Sequence, residues 1–433
     1  MKISFVGTGY VGLVSGVMMS HLGHEIVCID VNENTIAKLK NKEAPIYEPG
    51  LNQYIEKYTN TQRLQFVHGY DSTIANSDCL FITVGTPSKE NGDADLSGIF
   101  QAVESASKYI SPECVIVLKS TVPPGTCQQV REFMRNKGIN IDIVSNPEFL
   151  REGNAIKDFL EPDRIVIGTH SEHALKLMQK VYKPLTDEGV QLVETDLSTS
   201  ELIKYASNTF LANKIAFINE MADLCEIVGA DIGALSKGVG LDKRIGSDFL
   251  RAGPGFGGSC FPKDILALQQ LAKKVNSSFL ILDAVIKANS NRPNIMINKI
   301  STALDGSIKG KKLAILGLTY KAGTDDLRSS PAIDLINLLR KEGADVTAYD
   351  PEGMNNAGKY FTNLNCAESI YAAVKDSDAI IIATEWLEFQ KMDLNKIKTL
   401  VKTPNIIDLR NLFKPEEVIS LGFKYYSIGR KSG

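Results

Sequence analysis

The stretch KISFVGTGYVGLVSGVMMSHLGHEIVCID, residues 2–30, decides the fold class of this chain. It opens with apolar, β-prone residues, which predict a buried parallel strand. The glycine motif GTGYVG follows at 7–12, then a helical pattern over 11–22 and a second strand over 25–29 that leads into Asp30. Strand, glycine-rich turn, helix, strand and acid in this order predict a dinucleotide-binding βαβ unit. An ordinary glycine-rich turn is the alternative.

The three glycines of the motif have different expected tasks. Gly7 permits the tight turn, Gly9 lets the backbone approach a pyrophosphate, and Gly12 lets the helix pack closely on the strand. The helix N-terminus faces the anion. Asp30 is placed to accept hydrogen bonds from an adenosine ribose. An acid at this position favours NAD over NADP, because it would repel a 2′-phosphate.

The length, amino-acid composition and net charge of the chain limit the class of protein to which it can belong. The chain has 433 residues, which at about 150 residues per domain suggests three domains. Hydrophobic residues make up 43% and charged residues 23%, with a net charge of −3. This balance is that of a globular protein, and it provides no global basic field for a nucleic acid. We therefore expect no nucleic-acid partner.

The N-terminus and the cysteines indicate the compartment. Residues 3–24 carry no formal charge, so a signal peptide is an alternative, but glycines interrupt the stretch and no A-x-A site follows. No other segment approaches the ~18 apolar residues of a membrane span, so we expect no membrane partner. The seven cysteines are odd in number and lack a CxxC pair. This pattern favours a reducing, cytoplasmic setting.

The histidines do not indicate a metal site. Two close pairs among the five have His-x-x-His spacing, without a cysteine or HExxH context. We therefore expect no metal, and a zinc-dependent alcohol dehydrogenase is disfavoured.

The α/β alternation continues through the first part of the chain, with strands predicted at 78–84, 115–118 and 141–144. A polar loop follows each strand, and the carboxyl ends of parallel strands line the ligand crevice of an open sheet. The loops with Thr86, Thr121 and residues 146–153 are therefore candidates for holding the nicotinamide half. Plain turn chemistry is the alternative for each loop taken singly.

The middle of the chain is predicted to be helical. One long helix is expected over 199–228, and Lys204 and Asn208 lie four residues apart on it. They therefore project from one face, one turn apart, which indicates a lined pocket or a solvated pair. A second helical stretch is expected over 264–291.

A second α/β alternation begins at residue 311. Its first turn, GLTYK at 317–321, lacks GxGxxG, so we expect no second dinucleotide there. By fold analogy alone, a nucleotide-linked ligand would have Lys321 and Arg328 as phosphate partners. The chain is thus predicted to be an α/β protein with two doubly wound, Rossmann-like domains joined by a long central helical region.

The segment FLRAGPGFGGSCFPKD at 249–264 is the sharpest chemical signal. Four glycines in six consecutive positions let the backbone come close to a ligand. Pro262 suits the first position of a helix. Cys260 then precedes a helix N-terminus beside Lys263, and both favour a nucleophilic thiolate. Asp264 could orient a water or a lysine ammonium. We interpret the other six cysteines as small buried side chains.

A nicotinamide site and an activated cysteine together narrow the chemistry. Hydride transfer from an alcohol needs a base, whereas a thiol becomes useful when an aldehyde is oxidised further. A thiolate adds to the aldehyde to give a thiohemiacetal, which can lose hydride and become a thioester. Water then releases an acid, so the pattern indicates a primary alcohol or aldehyde taken to a carboxylate.

Five stretches along essentially the whole chain resemble the UDP-glucose/GDP-mannose dehydrogenase family: GTGYVG at 7–12, STVPPGT at 120–126, NPEFLREG at 146–153, ELIKYASNTFLANKIAFINE at 201–220 and FLRAGPGFGGSCFPKD at 249–264. The resemblance implies two NAD-dependent oxidations of a nucleotide sugar at C6 through a cysteine thioester. It implies an NAD domain over 1–198, a central helical dimerisation domain with the catalytic loop over 199–295, and a C-terminal UDP-sugar domain over 296–433. A homodimer is implied as well.

The resemblance also implies contacts for individual residues. It places NAD at Gly7, Gly9, Tyr10, Val11, Gly12, Asp30, Thr35, Thr86, Thr121, Glu152, Lys263 and Arg328. It places the nucleotide sugar at Glu148, Phe149, Leu150, Arg151, Glu152, Lys204, Asn208, Phe249, Leu250, Arg251, Ala252, Gly253, Gly257 and Lys321.

The same resemblance implies the catalytic roles. Cys260 is the implied nucleophile, and Lys204 and Asn208 stabilise the alkoxide or thiohemiacetal oxygen. Lys204 or a water held by Asp264 takes the alcohol proton, so the first base is left open. Glu148, through a water also held by Thr121, assists hydrolysis of the thioester.

Two positions bear on cofactor and substrate choice. Many relatives have a lysine where this chain has Thr35, so a cationic contact to the cofactor is lost. The sequence GPGFGGSCFPKD is similar to the UDP-glucose branch, which implies UDP-glucose as substrate. GDP-mannose and a UDP-N-acetyl sugar remain alternatives, as do a single-oxidation enzyme resembling 6-phosphogluconate dehydrogenase and an inactive sugar-nucleotide binder.

Overall fold

The computed structural model describes residues 1–431. Its contacts divide the chain into two compact units. Unit 1 consists of Met1–Ser207 and Leu266–Asn276, and unit 2 consists of Asn208–Ile265 and Ser277–Gly433. Each unit contains one largely or wholly parallel sheet with helices, so the predicted α/β fold class is confirmed.

The sheet of unit 1 has eight strands: β1 (Lys2–Val6), β2 (Glu25–Asp30), β3 (Leu64–His68), β4 (Cys79–Ile82), β5 (Val115–Leu118), β6 (Ile143–Ser145), β7 (Arg164–Gly168) and β8 (Gln191–Thr195). Their spatial order is β3-β2-β1-β4-β5-β6-β7-β8, and only the β6–β7 pair is antiparallel. Inner strands such as β4 and β5 are buried along their whole length, because helices cover both faces of such a sheet.

The helices of unit 1 are α1 (Tyr10–His21), α2 (Glu33–Lys40), α3 (Leu51–Asn60), α4 (Ser97–Ser107), α5 (Thr126–Asn136), α6 (Ala155–Leu160) and α7 (Glu172–Thr186), with a 3₁₀ turn at Ser72–Ile74. Local sequence fixes where some of them begin. Asn32 caps α2 and Ser171 caps α7, each by accepting a backbone N–H of the first turn.

The middle of the chain contains α8 (Leu197–Val228), α9 (Ile232–Gly240), α10 (Phe261–Lys274) and α11 (Leu280–Ala303). The long helix is confirmed. The single helix expected over 264–291 is wrong, since α10 and α11 are separated by residues 275–279. Asn276 has φ 54° there, and asparagine tolerates this left-handed conformation, which ends a helix.

The sheet of unit 2 has six parallel strands: β9 (Lys312–Leu316), β10 (Asp345–Tyr349), β11 (Asn365–Cys366), β12 (Ala379–Ile382), β13 (Asn405–Asp408) and β14 (Lys424–Ser427). Its helices are α12 (Pro331–Lys341), α13 (Met354–Ala357), α14 (Ile370–Val374), α15 (Leu387–Gln390), α16 (Leu394–Leu400) and α17 (Pro415–Ser420). The order β11-β10-β9-β12-β13-β14 repeats that of the first six strands of unit 1.

The N-terminal segment belongs to the folded core of unit 1. It forms β1, which pairs with β2 and β4, and the largely buried α1. This buried placement accounts for its lack of charged residues. Across residues 1–431, no helix is long and apolar enough to cross a membrane.

The cysteines differ in exposure. Five of the six expected to be buried are buried: Cys28, Cys79, Cys114, Cys127 and Cys225. Burial raises the pKa of the Cys114 thiol to about 12. The prediction is wrong for Cys366, which is exposed because it lies on β11 at the edge of its sheet.

Candidate active site

The turn between β1 and α1 gives each glycine of GTGYVG a different environment. Gly7 has φ 96°, and a Cβ on Gly12 would lie 1.9 Å from the Gly7 carbonyl oxygen. A Cβ on Gly9, by contrast, would have no protein atom within 4 Å. The fold therefore requires the first and third glycines. The second faces open space at the start of a helix, as a pyrophosphate site requires.

Asp30 lies beside this turn at the end of β2. Its Oδ2 accepts hydrogen bonds from the backbone N–H and the hydroxyl of Thr8, both at 2.7 Å, and its Oδ1 accepts the Asn32 N–H at 2.9 Å. These donors fix the orientation of the carboxylate. Val11 lies in the first turn of α1, and Thr35 lies in the first turn of α2.

The loops after β4 and β5 are joined by a side-chain hydrogen bond. The Thr86 hydroxyl donates to the carbonyl oxygen of Thr121 at 2.9 Å. These two predicted cofactor residues thus lie together at the carboxyl ends of adjacent strands of unit 1.

A buried carboxylate that the sequence analysis missed connects the glycine turn to the loop at 146–153. Glu48 accepts a hydrogen bond from the Tyr10 hydroxyl, from the Gly153 N–H at 2.7 Å and from the Ala155 N–H at 2.8 Å. Only 7% of Glu48 is exposed. No sequence motif marks Glu48. Only the tertiary structure shows that its carboxylate is buried and hydrogen-bonded to both segments.

Glu148 and Lys204 form a buried ion pair in unit 1. The Lys204 Nζ lies 3.0 Å from the Glu148 Oε1. Burial tends to raise the pKa of Glu148, but the Lys204 charge and the Leu150 N–H outweigh it and hold the pKa below its ordinary value. The Phe149 ring lies beneath the Arg164 guanidinium, whose carbon is 3.5 Å from the ring centroid. The structure therefore brings two predicted catalytic residues together as an ion pair.

The reactive cysteine lies in unit 2, at the start of α10. The Cys260 carbonyl accepts the Asp264 N–H at 3.0 Å, which makes Cys260 the N-cap residue. Its side chain is partly exposed, and its Sγ lies 3.5 Å from the Ser259 hydroxyl. Pro262 is the second helical residue rather than the first, because α10 begins at Phe261.

Asp264 organises two neighbouring polar groups. It is fully buried, and its Oδ2 accepts the Asn208 amide at 2.6 Å. Its Oδ1 pairs with the Lys263 ammonium. The expected lysine contact is therefore present, and the Asn208 amide is held in one orientation by a carboxylate.

Two glycines of the reactive segment lie against neighbouring protein. A Cβ on Gly257 would lie 2.1 Å from the Ser329 carbonyl oxygen, and one on Gly258 would lie 2.8 Å from the Tyr320 ring. The Gly258 N–H also donates to the Arg328 carbonyl oxygen at 2.9 Å. Because these two glycines have no side chain, the segment before Cys260 can pack directly against the 320–329 segment of unit 2.

Polar side chains of α8 and α11 hold the other end of the segment. The Asn219 side-chain oxygen accepts the Gly253 N–H at 2.8 Å, and the Arg292 Nε donates to the Gly253 carbonyl oxygen at 3.0 Å. The Asn289 side chain bonds both the N–H and the carbonyl oxygen of Phe256. The cysteine is thus presented by a loop fixed at several points.

The other predicted site residues differ in exposure. Glu152, Leu250, Ala252 and Gly253 are buried, Phe249 and Lys321 are partly buried, and Arg151, Arg251 and Arg328 are exposed. Arg151 pairs with Asp158 at 2.6 Å, and Arg328 pairs with Asp326 at 2.8 Å. Phe249 has φ 63°, a strained value for a bulky residue.

The glycine turn, the oriented Asp30 and the doubly wound sheet define a dinucleotide-binding α/β protein. Comparisons with known proteins agree with this class and narrow it. Residues 1–186 match the NAD binding domain of the UDP-glucose/GDP-mannose dehydrogenase family, 198–291 match its central domain, and 314–415 match its UDP binding domain.

Individual relatives match over their whole length. A protein of Rickettsia bellii named UDP-glucose 6-dehydrogenase is 55% identical over 433 residues, covering 100% of both chains. One of the same name from Rhizobium meliloti is 48% identical, covering 99% of this chain and 100% of the relative. A solved structure of a UDP-glucose dehydrogenase from the hyperthermophilic archaeon Pyrobaculum islandicum is 35% identical, covers 100% of this chain and 98% of that chain, and has a TM-score of 0.92.

This chain belongs to the UDP-glucose/GDP-mannose dehydrogenase family. The resemblance drawn from the sequence is therefore confirmed. Membership makes the chain an NAD-dependent dehydrogenase, and the predicted cofactor is confirmed with it.

Proposed function

We propose that this chain oxidises the C6 alcohol of UDP-glucose to a carboxylate in two NAD-dependent steps and releases UDP-glucuronate. The observation that carries the proposal is the partly exposed Cys260 at the N-terminus of α10. A dehydrogenase that stops at a carbonyl needs no nucleophile. The names of the full-length relatives support UDP-glucose over GDP-mannose and UDP-N-acetyl sugars.

In the first oxidation, the chain must take a proton and stabilise an alkoxide. Lys204 and Asn208 stabilise the developing oxyanion, and Lys204 or a water held by Asp264 takes the alcohol proton. Each such donor is worth on the order of 3 kcal/mol of barrier. Bound NAD supplies the acceptor for the hydride that leaves C6 in each oxidation.

In the second half of the reaction, Cys260 carries the sugar covalently. Its thiolate adds to the C6 aldehyde and forms a thiohemiacetal, whose loss of hydride leaves a thioester. Glu148 and Thr121 then hold a water, and the carboxylate takes its proton as the water attacks the thioester carbon. The C–S bond breaks, the acid is released as the product, and the Cys260 thiolate is regenerated as the leaving group. The helix N-terminus and the Lys263 ammonium favour that thiolate.

The proposal assigns the binding residues from the family pattern. NAD contacts Gly7, Gly9, Tyr10, Val11, Gly12, Asp30, Thr35, Thr86, Thr121, Glu152, Lys263 and Arg328. UDP-glucose contacts the segments 148–152 and 249–253, with Lys204, Asn208, Gly257 and Lys321. The open space at Gly9 and the fixed carboxylate of Asp30 support the NAD assignment.

We also propose a homodimer and a three-domain organisation. Phe210, Phe217 and Leu224 are exposed and repeat every seven residues along α8, and Ile227 and Val228 continue the stripe. Such an apolar seam is typical of a helix that packs on another helix.

The proposed domains are 1–198 for NAD, 199–295 for dimerisation with the catalytic loop, and 296–433 for the UDP-sugar. The seven free cysteines favour the cytoplasm as the compartment.

The decisive experiment counts the NADH formed per sugar consumed. Purified protein is given UDP-glucose, GDP-mannose or a UDP-N-acetyl sugar, and NADH and acid are measured together. Two NADH per UDP-glucose, with UDP-glucuronate as product, is the expected result. One NADH would indicate a single oxidation, and none with any sugar would indicate a binder.

A substitution tests the covalent route. Cys260→Ser is expected to abolish release of the acid while UDP-glucose still binds, and Cys366→Ser, at another accessible cysteine, is the matched control with wild-type turnover. Mass spectrometry of the trapped reaction is expected to find the sugar nucleotide on Cys260. Normal turnover by Cys260→Ser would exclude the thioester mechanism.

A further inference from the structure

Glu48 is a buried carboxylate that the proposed mechanism does not use. It lies just before α3 in unit 1, and its two oxygens have different partners. Oε2 accepts the Gly153 N–H at 2.7 Å and the Tyr10 hydroxyl, and Oε1 accepts the Ala155 N–H at 2.8 Å. The Tyr10 oxygen also accepts the Gly153 N–H, at 2.8 Å. Donors from two separate segments therefore converge on one carboxylate.

One of these segments, 146–154, is an irregular loop between β6 and α6. It carries Glu148 and ends beside Gly153, which has φ 79°. Some of its hydrogen bonds are local, such as that from the Arg151 N–H to Asp158 at 2.8 Å. Glu48, by contrast, lies 105 positions from Gly153 in the sequence. Its carboxylate thus ties the end of the loop to a distant part of the unit.

Glu48 also caps the first turn of α6. Asn154, the residue before this helix, makes no capping hydrogen bond with its own side chain. The Ala155 N–H donates to Glu48 instead. A carboxylate is favourable here, because the free N–H groups at a helix start carry partial positive charge. Without an acceptor, the buried Ala155 N–H would lose its partner, which is costly.

The backbone of the glycine turn is held by the sheet. The Thr83 hydroxyl oxygen lies 2.8 Å from the carbonyl oxygens of Val6 and Gly7, and the Gly7 N–H donates to the Ile29 carbonyl oxygen at 2.8 Å. Glu48 contacts this region through the Tyr10 hydroxyl. We therefore expect loss of its carboxylate to release the loop and to leave the turn in place.

We propose that Glu48 is a positioning residue for the sugar side of the site, whose carboxylate fixes the 148–153 segment against Tyr10 so that Glu148 meets the substrate in one position. The inference rests on the proposed function, in which residues 148–152 contact UDP-glucose and Glu148 is the base. A base that is held in one place needs no reordering when the thioester forms, and a displacement of about 1 Å can cost about a hundredfold in rate.

Glu48→Gln tests this role. It keeps the shape of the side chain but replaces one acceptor oxygen by a donor, so one of the Gly153 and Ala155 N–H groups loses its partner. Affinity for UDP-glucose and the rate of UDP-glucuronate release are each expected to fall by about tenfold or more. ADP-ribose, which has the pyrophosphate of NAD without its nicotinamide, is expected to bind as to wild type. Glu56→Gln, at an exposed glutamate of α3, is the matched control with no change expected.

A second variant keeps the test decisive if Glu48→Gln does not fold. Tyr10→Phe removes the hydroxyl that Glu48 and Gly153 share and leaves the ring and the backbone of the glycine turn. The same difference between UDP-glucose and ADP-ribose is expected for it, with a smaller loss. Hydrogen–deuterium exchange of residues 148–156 in the free protein is a further readout that needs no turnover, and exchange is expected to be faster in both variants.

The outcomes separate positioning from a merely structural role. A folded Glu48→Gln variant with wild-type UDP-glucose affinity and acid release would overturn the inference, even if its melting temperature were lower. Equal losses of ADP-ribose and UDP-glucose affinity would overturn it as well, because the whole unit would then be disturbed. If wild-type protein fails to form two NADH per UDP-glucose, the proposed function falls, and the exchange rates still decide whether Glu48 holds the loop.

Discussion

Glu148 and Lys204 bury opposite charges against each other, and each side chain favours the charged form of the other. Because the pKa of Glu148 is lowered in the folded chain, the carboxylate stabilises the fold. This contribution is fully present above the ordinary glutamate pKa of about 4.3 and is lost as the pH falls through the lowered value.

We expect Glu148→Gln to lower the free energy of unfolding by about 3 kcal/mol at pH 7, because Lys204 then loses its carboxylate partner in a buried site. The double variant Glu148→Gln with Lys204→Met is expected to recover most of that loss. Urea denaturation measures both. The difference between wild type and Glu148→Gln should narrow as the pH falls below about 4. A double variant less stable than the single one would contradict a coupled pair.

At the scale of elements, the strand–turn–helix unit at the N-terminus contains glycines with two different roles, one in packing and one facing open space. Gly12 lies where α1 passes close to the turn, and a Cβ there would meet the Gly7 carbonyl oxygen. Gly9, two residues after Gly7, faces open space. One motif thus contains a glycine required by packing and a glycine that the fold alone does not require.

This difference predicts opposite effects for two alanine substitutions. Gly12→Ala is expected to destabilise the protein by about 1–3 kcal/mol, because the backbone must shift to admit the methyl group. Gly9→Ala is expected to leave the melting temperature nearly unchanged and to weaken NADH binding by about tenfold, which corresponds to ~1.4 kcal/mol. Thermal denaturation and NADH fluorescence titration measure the two effects. Wild-type NADH affinity in Gly9→Ala would contradict the cofactor site.

The reactive segment shows the limit of an argument from one element. The position of Cys260 just before a helix was predictable, because residues adjacent to it in the sequence signal where that helix begins. The close contacts of Gly257 with Ser329 and of Gly258 with Tyr320 were not, since those partners lie more than sixty positions away in the chain.

At the scale of the whole molecule, the six strands of unit 2 have the same order as the first six strands of unit 1, but the first turns of the two sheets differ. Gly7 and Gly317 both have positive φ, and each N–H donates to the carbonyl oxygen at the end of the neighbouring strand at 2.8 Å. Asp350 occupies the place of Asp30 but is fully buried, with hydrogen bonds from Leu318, Thr319 and Trp386. A carboxylate enclosed in this way is unavailable to a ribose.

The proposed homodimer predicts the effect of a charge on the apolar stripe of α8. Leu224→Lys is expected to reduce the mass in solution from twice 47.4 kDa to 47.4 kDa, since an unpaired charge in an apolar interface is costly. Leu387→Lys is the matched control, because Leu387 is an exposed leucine outside the stripe. Light scattering after size-exclusion chromatography measures the mass. A monomeric wild-type chain, or a Leu224→Lys variant that remains dimeric, would contradict this interface.

The sequence by itself determined the features that depend on neighbours along the chain. Alternating strands and helices, the glycine turn with Asp30 and the placement of Cys260 before α10 are all local patterns. Residues a few positions apart were therefore enough to predict the fold class, the cofactor and the chemistry of the nucleophile.

Only the tertiary structure decided which polar groups are buried together. The Glu148–Lys204 pair joins residues 56 positions apart, and no sequence motif marks the buried Glu48. The physical reason is that the pKa of a carboxyl or an ammonium depends on burial and on charges within a few ångströms in space. Those distances are set by the packing of strands and helices, which no local pattern encodes.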